Sequence, residues 1–99
     1  MAADAKFSIL IESRVFKILS NTKQFPAKIH RQITLKIFAL QFDATPQDCK
    51  QIGSGYRVDS GEYRILYTID EEQSVVRVEL VGSRNDDEVY RQAKRLGLL

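Results

Sequence analysis

The residues best suited to chemistry lie in the second half of the chain: Arg57, Arg64, Arg84 and Tyr90. Arginine matches phosphate because its planar fork of N–H donors fits the phosphate oxygens and because it keeps its charge at physiological pH. It is therefore a clamp for an anion and not a ready proton carrier, while tyrosine adds a hydroxyl group and an aromatic face. These residue types favour binding of a phosphate group.

A predicted β-hairpin brings two of these arginines together. Gly61-Glu62 forms its two-residue turn, a position where glycine supplies the unusual backbone geometry. Counting outward from this turn places Asp59 opposite Arg64 and Arg57 opposite Leu66. Arg57, Asp59 and Arg64 are thus expected to share one face of the sheet.

Arg84 reaches the same face if the next loop joins its strands with Ile69 opposite Val75. In that register Arg64 lies opposite Leu80, and Arg84 emerges on the same face just beyond the end of the third strand. The spacing therefore predicts that three arginines converge near one end of the sheet.

Tyr90 lies about one turn into the helix that follows and is expected to point back at the arginines. A plainer interpretation stays open: Asp59 and Arg64 form only a cross-strand ion pair, worth about 0.2–1 kcal/mol, and Tyr90 is a core aromatic residue. The other tyrosines of the hairpin fall on the opposite face and are expected in the core or in an interface: Tyr56, Tyr63 and Tyr67.

The first half of the chain is typical of a strand followed by two helices. Phe7, Ile9 and Ile11 occupy every second position, which predicts a strand over about residues 6–12. A short helix over residues 14–20 follows, with Ser13 as its cap. Pro26 opens a second helix, whose apolar side chains recur at helical spacing: Ile29, Ile33, Ile37 and Leu40.

The second half is predicted as three strands and a closing helix. The strands span residues 56–60, 63–69 and 75–83, which are rich in β-branched and aromatic residues. The acidic run over residues 85–88 suits the positive N-terminus of a helix. The whole predicts a single α+β domain over residues 1–99, with an N-terminal strand and two helices packed on a twisted antiparallel sheet and a short C-terminal helix.

Composition narrows the function classes. The net charge of +2 is uneven, since residues 1–40 hold seven Lys and Arg against two acids, and this favours an anionic partner such as nucleic acid. Cys49 and His30 are the sole residues of their types, so no disulfide, zinc site, metal or cofactor is expected, and His30 is expected to have no catalytic role. No apolar run approaches the roughly 20 residues that span a membrane and the start is not a signal peptide, so the expected location is the cytoplasm.

The hairpin and the strand after it carry a recognisable motif. Tyr56-Arg-Val-Asp-Ser-Gly-Glu-Tyr-Arg-Ile-Leu-Tyr67, followed by Val81-Gly-Ser-Arg84 and Glu88-Val-Tyr90, closely resembles the RelE/ParE superfamily of bacterial toxins. Resemblance to the RelE branch implies a RelE-like fold and the toxin of a type II toxin–antitoxin pair. The implied activity is that of a metal-independent, ribosome-dependent endoribonuclease, which cleaves mRNA in the ribosomal A site and so inhibits translation. The implied partners are the ribosome, mRNA and a cognate antitoxin, through which the complex binds operator DNA.

Matched residue by residue, the resemblance gives three residues catalytic roles. Arg64 and Arg84 hold and stabilise the scissile phosphate, and Tyr90 orients the substrate or stacks on it. Arg57 occupies a basic position that contacts RNA. Further RNA contacts are expected from Lys50 and from three basic residues suited to the ribosomal RNA backbone: Lys28, Arg31 and Lys36.

Asp59 departs from the RelE pattern, which has at this position a lysine proposed to take part in proton transfer. A carboxylate here either pairs with Arg64 or accepts a proton in the reaction. Two other functions stay open. One is a ParE-like inhibitor of DNA gyrase without hydrolytic activity, and the other is a degenerate, purely regulatory module that binds an antitoxin.

Overall fold

A computed structural model describes residues 4–85 and 87–99 of the chain. These described residues form five strands and three helices, which confirms the predicted α+β fold. In chain order the elements are β1 (Ser8–Ile11), α1 (Ser13–Leu19), α2 (Ala27–Ala39), β2 (Lys50–Ile52), β3 (Gly55–Ser60), β4 (Tyr63–Asp70), β5 (Val75–Ser83) and α3 (Glu88–Arg95).

The helix starts follow the predictions with one exception. Helix α2 begins directly after Pro26, whose fixed φ suits the entry to a helix. The prediction of Ser13 as a cap is wrong, because α1 begins at Ser13 itself and Glu12 is the flanking residue, with no side-chain capping hydrogen bond. Residues 1–3 and Asp86, on which parts of the predicted start and of the predicted acidic run fall, lie outside the described residues.

The sheet is mixed and has the strand order β1-β5-β4-β3-β2. Strands β2 to β5 form an antiparallel meander, whereas β1 pairs with β5 in parallel. The N-terminal strand therefore adds a parallel pair at one edge of the predicted antiparallel meander, and the sequence alone did not give this pairing. At the other edge the three-residue strand β2 was not predicted, because its sequence Lys50-Gln-Ile52 is too short and polar to show a strand pattern.

Helices cover both faces of this sheet. Helices α1 and α2 pack on one face through the larger core cluster, which includes Val15, Ile33, Ile37, Val58, Ile65, Tyr67 and Val78. Helix α3 packs on the other face through a smaller cluster of Leu66, Leu80, Val89 and Ala93. Because side chains alternate along a strand, Arg57, Asp59 and Arg64 lie on the face that carries α3, here called the arginine face.

The predicted hairpin register is confirmed, since Asp59 pairs with Arg64 and Arg57 with Leu66. The predicted register of the next strand pair is wrong, because Arg64 lies opposite Gly82 instead of Leu80. The loop shifts the pairing by one residue, and a β-bulge between the Leu66 and Tyr67 pairs shifts it by one more. The two shifts add to an even number, so Arg84 still emerges on the arginine face.

The bulge leaves Glu79 as the extra residue of β5. Arg14 at the start of α1 satisfies it twice: its Nε donates to the Glu79 carbonyl at 2.9 Å and its Nη2 to the Glu79 carboxylate at 2.9 Å. Glu79 is buried, with 7% of its surface exposed, so it needs this partner. The contact between α1 and β5 therefore stabilises the bulge that sets the face of Arg84.

The tyrosines predicted on the opposite face lie there. Tyr67 is buried, and its hydroxyl donates to the Ala44 carbonyl at 2.7 Å. Tyr63 packs on Phe25 with ring centroids 4.8 Å apart, and Tyr56 stacks on Tyr67 at 5.7 Å. None of the helices in residues 4–85 and 87–99 has the length and apolar character needed to cross a membrane.

Candidate functional site

The arginine face carries a cluster centred on Asp59. The Asp59 Oδ1 atom accepts a hydrogen bond from Arg64 Nε at 3.1 Å and lies 3.8 Å from Arg57 Nη1. Its Oδ2 atom lies 3.4 Å from Arg84 Nε. The structure thus brings together all three arginines that the sequence singled out, around one carboxylate.

Arg64 is the least exposed arginine of the cluster, with 12% of its side chain accessible. Its Nη1 donates to the Tyr90 hydroxyl, and its Cζ lies 5.4 Å from the centroid of the Tyr90 ring. The guanidinium is therefore held by Asp59 on one side and by Tyr90 on the other. The Arg64 guanidinium is thus oriented before any substrate binds.

Arg84 lies just after β5 and is placed by the hairpin turn. Its backbone N–H donates to the Glu62 carbonyl at 2.9 Å, and its Nη1 donates to the Gly61 carbonyl at 3.3 Å. Its side chain is 49% exposed, so it faces solvent more than Arg64 does. The sequence predicts a turn at Gly61-Glu62, and in the structure the carbonyls of these two residues also orient Arg84.

Lys50 also lies on the arginine face. Its partner across the β2–β3 pair is Arg57, and directly paired residues of antiparallel strands point to the same side. Since β2 was not predicted, the position of Lys50 relative to the hairpin could not be derived from sequence. Lys50 extends the row of positive charge from Arg57 toward the edge of the sheet.

The basic residues of α2 lie apart from this cluster, because α2 packs on the opposite face of the sheet. Lys36 Nζ donates to Asp48 Oδ2 at 2.7 Å, and this hydrogen bond lowers the pKa of the Asp48 carboxyl below its usual range. Lys28, Arg31 and His30 belong to the same helix. The structure does not bring any of these residues to the arginines.

The electrostatics of the cluster favour an anion. Three guanidinium groups surround the Asp59 carboxylate, and Lys50 lies on the same face as the register partner of Arg57, which leaves an excess of positive charge there. Residues 4–85 and 87–99 contain no group of three or more His, Cys, Asp or Glu side chains that could hold a metal ion. The arrangement can bind and neutralise a phosphate through arginine, with the Tyr90 hydroxyl and ring beside it.

Sequence comparison finds no relative: no family model matches the chain, and neither does any curated protein. Solved structures do match. A free E. coli toxin RelE with two arginines mutated to alanine has a TM-score of 0.73 and 24% identity, covering 94% of this chain and 98% of its own. The RelE of a RelE–RelB complex from Pyrococcus horikoshii has a TM-score of 0.72 and 19% identity, covering 81% and 97%.

A third match comes from the toxin–antitoxin complex RelBE2 of Mycobacterium tuberculosis, with a TM-score of 0.68, 19% identity and coverage of 85% of this chain and 98% of that one. The matches span nearly the whole of each solved chain. This protein therefore has the fold of the RelE toxins.

Proposed function

We propose that this protein is the toxin of a type II toxin–antitoxin pair and cleaves mRNA in the ribosomal A site, thereby inhibiting translation. The observation that carries the proposal is the convergence of Arg64, Arg84 and Tyr90 on one point of a RelE-like fold. Phosphate is the group that such a cluster suits best.

The proposed reaction is attack of an RNA 2′-hydroxyl on the adjacent phosphorus. The bond from phosphorus to the 5′-oxygen breaks, and the first products are a cyclic phosphate and a free 5′-hydroxyl. Arg64 and Arg84 bind the phosphate oxygens as negative charge develops on them. The arginines supply the neutralisation that a metal ion supplies in other nucleases, so the proposed reaction is metal-independent.

The site is better suited to stabilising charge than to transferring protons. Arginine and tyrosine ordinarily titrate far above neutral pH, so neither residue type is a good acid or base there. The ribosome lessens the demand on the side chains if it holds the mRNA with the 2′-hydroxyl in line with the bond that breaks. We therefore propose that naked RNA is cleaved slowly and that the ribosome is a required partner.

The remaining basic residues extend the RNA contact. Arg57 and Lys50 lie beside the cluster on the arginine face and suit the RNA backbone next to the scissile bond. Lys28, Arg31 and Lys36 lie on α2, across the sheet, and suit the ribosomal RNA backbone.

The proposed antitoxin has two surfaces available. Residues 13–42 contain six Lys and Arg and no acid, and between α1 and α2 they form an open apolar groove of about 890 Å³. Leu35 and Phe38 line this groove and are exposed by 62% and 44%, which favours an acidic amphipathic segment as the occupant. The second surface is that of α3, whose displacement would remove Tyr90 from the site.

The test is to map RNA 5′ ends in cells after brief expression of the protein without an antitoxin. Cuts inside translated codons, absent from untranslated RNA, are the expected result. Purified protein should then cut mRNA on programmed ribosomes and leave the same RNA intact without ribosomes. Uncut RNA together with gyrase-linked DNA breaks would favour the ParE-like alternative. The absence of both RNA cuts and DNA breaks would favour the regulatory module.

A further inference from the structure

The place best suited to a phosphate in this cluster is already taken by a side chain of the protein. We propose that Asp59 is a built-in competitor of the substrate phosphate, which keeps the site weak toward free phosphate and short RNA. That the phosphate belongs to RNA rests on the function proposed above, whereas the competition itself rests on the geometry of the cluster.

Both oxygens of Asp59 are engaged by arginine. Arg64 Nε donates to Oδ1 at 3.1 Å, and Arg84 Nε lies 3.4 Å from Oδ2, so the carboxylate bridges the two guanidinium groups that would hold the scissile phosphate. A phosphate that bridges the same two Nε atoms needs the space of this carboxylate. Its negative charge would also meet that of Asp59 at contact distance, where like charges repel.

The backbone leaves Asp59 a way to move aside. Strand β2 pairs with β3 only from Gly55 to Arg57, so Asp59 lies beyond the end of β2 and has a paired neighbour on the β4 side alone. Its side chain is 32% exposed. Rotation about χ1 toward the side where β2 no longer pairs with β3 would free both arginines and would leave the strand pairing of Asp59 with Arg64 intact.

The consequence is selectivity for RNA that is held by other contacts. A free phosphate must replace the contacts that Asp59 makes with the arginines, so its net binding free energy is small. An mRNA fixed by the ribosome presents its phosphate at high effective concentration and can displace the carboxylate. Asp59 thus restrains the free protein and restricts its action to the ribosome.

The experiment measures binding of a trinucleotide made entirely of 2′-deoxyribonucleotides, which carries the phosphates but cannot be cleaved by a 2′-hydroxyl. Its affinity is measured by calorimetry for the wild type, Asp59→Asn and Asp59→Ala. We expect roughly tenfold tighter binding by both variants, as for removal of one repelling charge at the site. Thermal unfolding checks that each variant is folded.

Asp70→Asn is the matched control. It removes the same charge from the protein at the other end of β4, where Asp70 is the register partner of Val75 and accepts a hydrogen bond from the Gln73 N–H. We expect its affinity to stay within about twofold of the wild type, a change well below 1 kcal/mol. Arg64→Ala added to Asp59→Asn should abolish the gain, because the freed donor is then missing.

Equal or weaker binding by both Asp59 variants would overturn the proposal, as would an equal gain in Asp70→Asn, which would trace the effect to overall charge. No binding by any variant would overturn it as well. Cleavage on programmed ribosomes tests the proposed function separately. If the Asp59 variants bind the trinucleotide more tightly but the wild type does not cleave mRNA, the role of Asp59 as a competitor is supported and the proposed nuclease activity is refuted.

Discussion

Gly82 lies so close beneath Val89 that a Cβ atom on the glycine would come within 2.9 Å of the Val89 Cβ. Helix α3 therefore packs directly on the backbone of β5. Gly82 is also the register partner of Arg64, and Tyr90 follows Val89 in α3. The absence of a side chain at Gly82 is what allows the Tyr90 hydroxyl to reach Arg64.

Gly82→Ala should push α3 away from the sheet. Overpacking of this kind costs about 1–3 kcal/mol in the free energy of unfolding, measured by urea denaturation. Cleavage on programmed ribosomes should fall as well, since Tyr90 moves with α3. Gly97→Ala is the control: its φ of +78° costs strain of about 1 kcal/mol, but open space surrounds it and cleavage should persist. Equal cleavage by both variants would refute this role for Gly82.

Arg64→Ala and Arg84→Ala should each abolish toxicity while the protein stays folded. Each change removes a charge-assisted contact to the developing phosphate charge, for which we expect a loss of about a hundredfold to a thousandfold in the single-turnover cleavage rate. Arg77→Ala removes the same charge from a residue that pairs with Glu12 at the far edge of the sheet, and it should stay toxic. Folded and fully toxic Arg64 and Arg84 variants would show that the site is wrong.

Asp59→Asn should keep or increase ribosome-dependent cleavage, and Asp59→Lys should do the same. The engagement of both carboxylate oxygens by arginine supports the ion-pair role of Asp59 over a role as proton acceptor. The measurement is single-turnover cleavage with the two variants and the wild type side by side. Loss of cleavage in Asp59→Asn with intact ribosome binding would instead identify Asp59 as the base.

Tyr67 should make the fold sensitive to alkali. Burial raises the pKa of its hydroxyl above the usual value of about 10. Because the pKa is higher in the folded state than in the unfolded chain, this contribution to stability is complete below about pH 10 and is lost as the pH rises further. Urea unfolding at about pH 8 and about pH 11 should show the loss.

Tyr67→Phe should reduce that alkaline loss. At neutral pH the same change should cost about 1–3 kcal/mol, because the buried Ala44 carbonyl loses its donor. Parallel pH dependence of wild type and Tyr67→Phe would show that other groups control alkaline unfolding.

Antitoxin binding should release α3. The helix buries only Val89 and Ala93, and the tail after it is held where the Ser54 N–H donates to the Leu98 carbonyl at 3.0 Å. So small a contact can be exchanged for a partner's. Hydrogen exchange of the amides of Glu88–Arg95 should be faster in the complex with the proposed antitoxin than in the free protein, and toxicity should be blocked. Slower exchange throughout α3 would contradict displacement and favour a covering partner.

Local patterns in the sequence were sufficient for every element except β2 and for the hairpin part of the site. The two-residue turn at Gly61-Glu62 leaves one register for the hairpin, so the pairing of Asp59 with Arg64 followed from counting. The helices and long strands followed from periodicity, because packing on one face imposes a period of 3.6 or 2 on the apolar residues.

What the tertiary structure decided lies at the non-local contacts. The bulge at Glu79 depends on Arg14, 65 residues away, and without it the loop register alone would have turned Arg84 to the opposite face. Lys50 lies on the arginine face only because β2 pairs with β3. Asp59 contacts three arginines only because the register of β5 brings Arg84 beside it. Sequence patterns record which side of an element is apolar, but which elements meet, and in which register, depends on packing across the whole sheet.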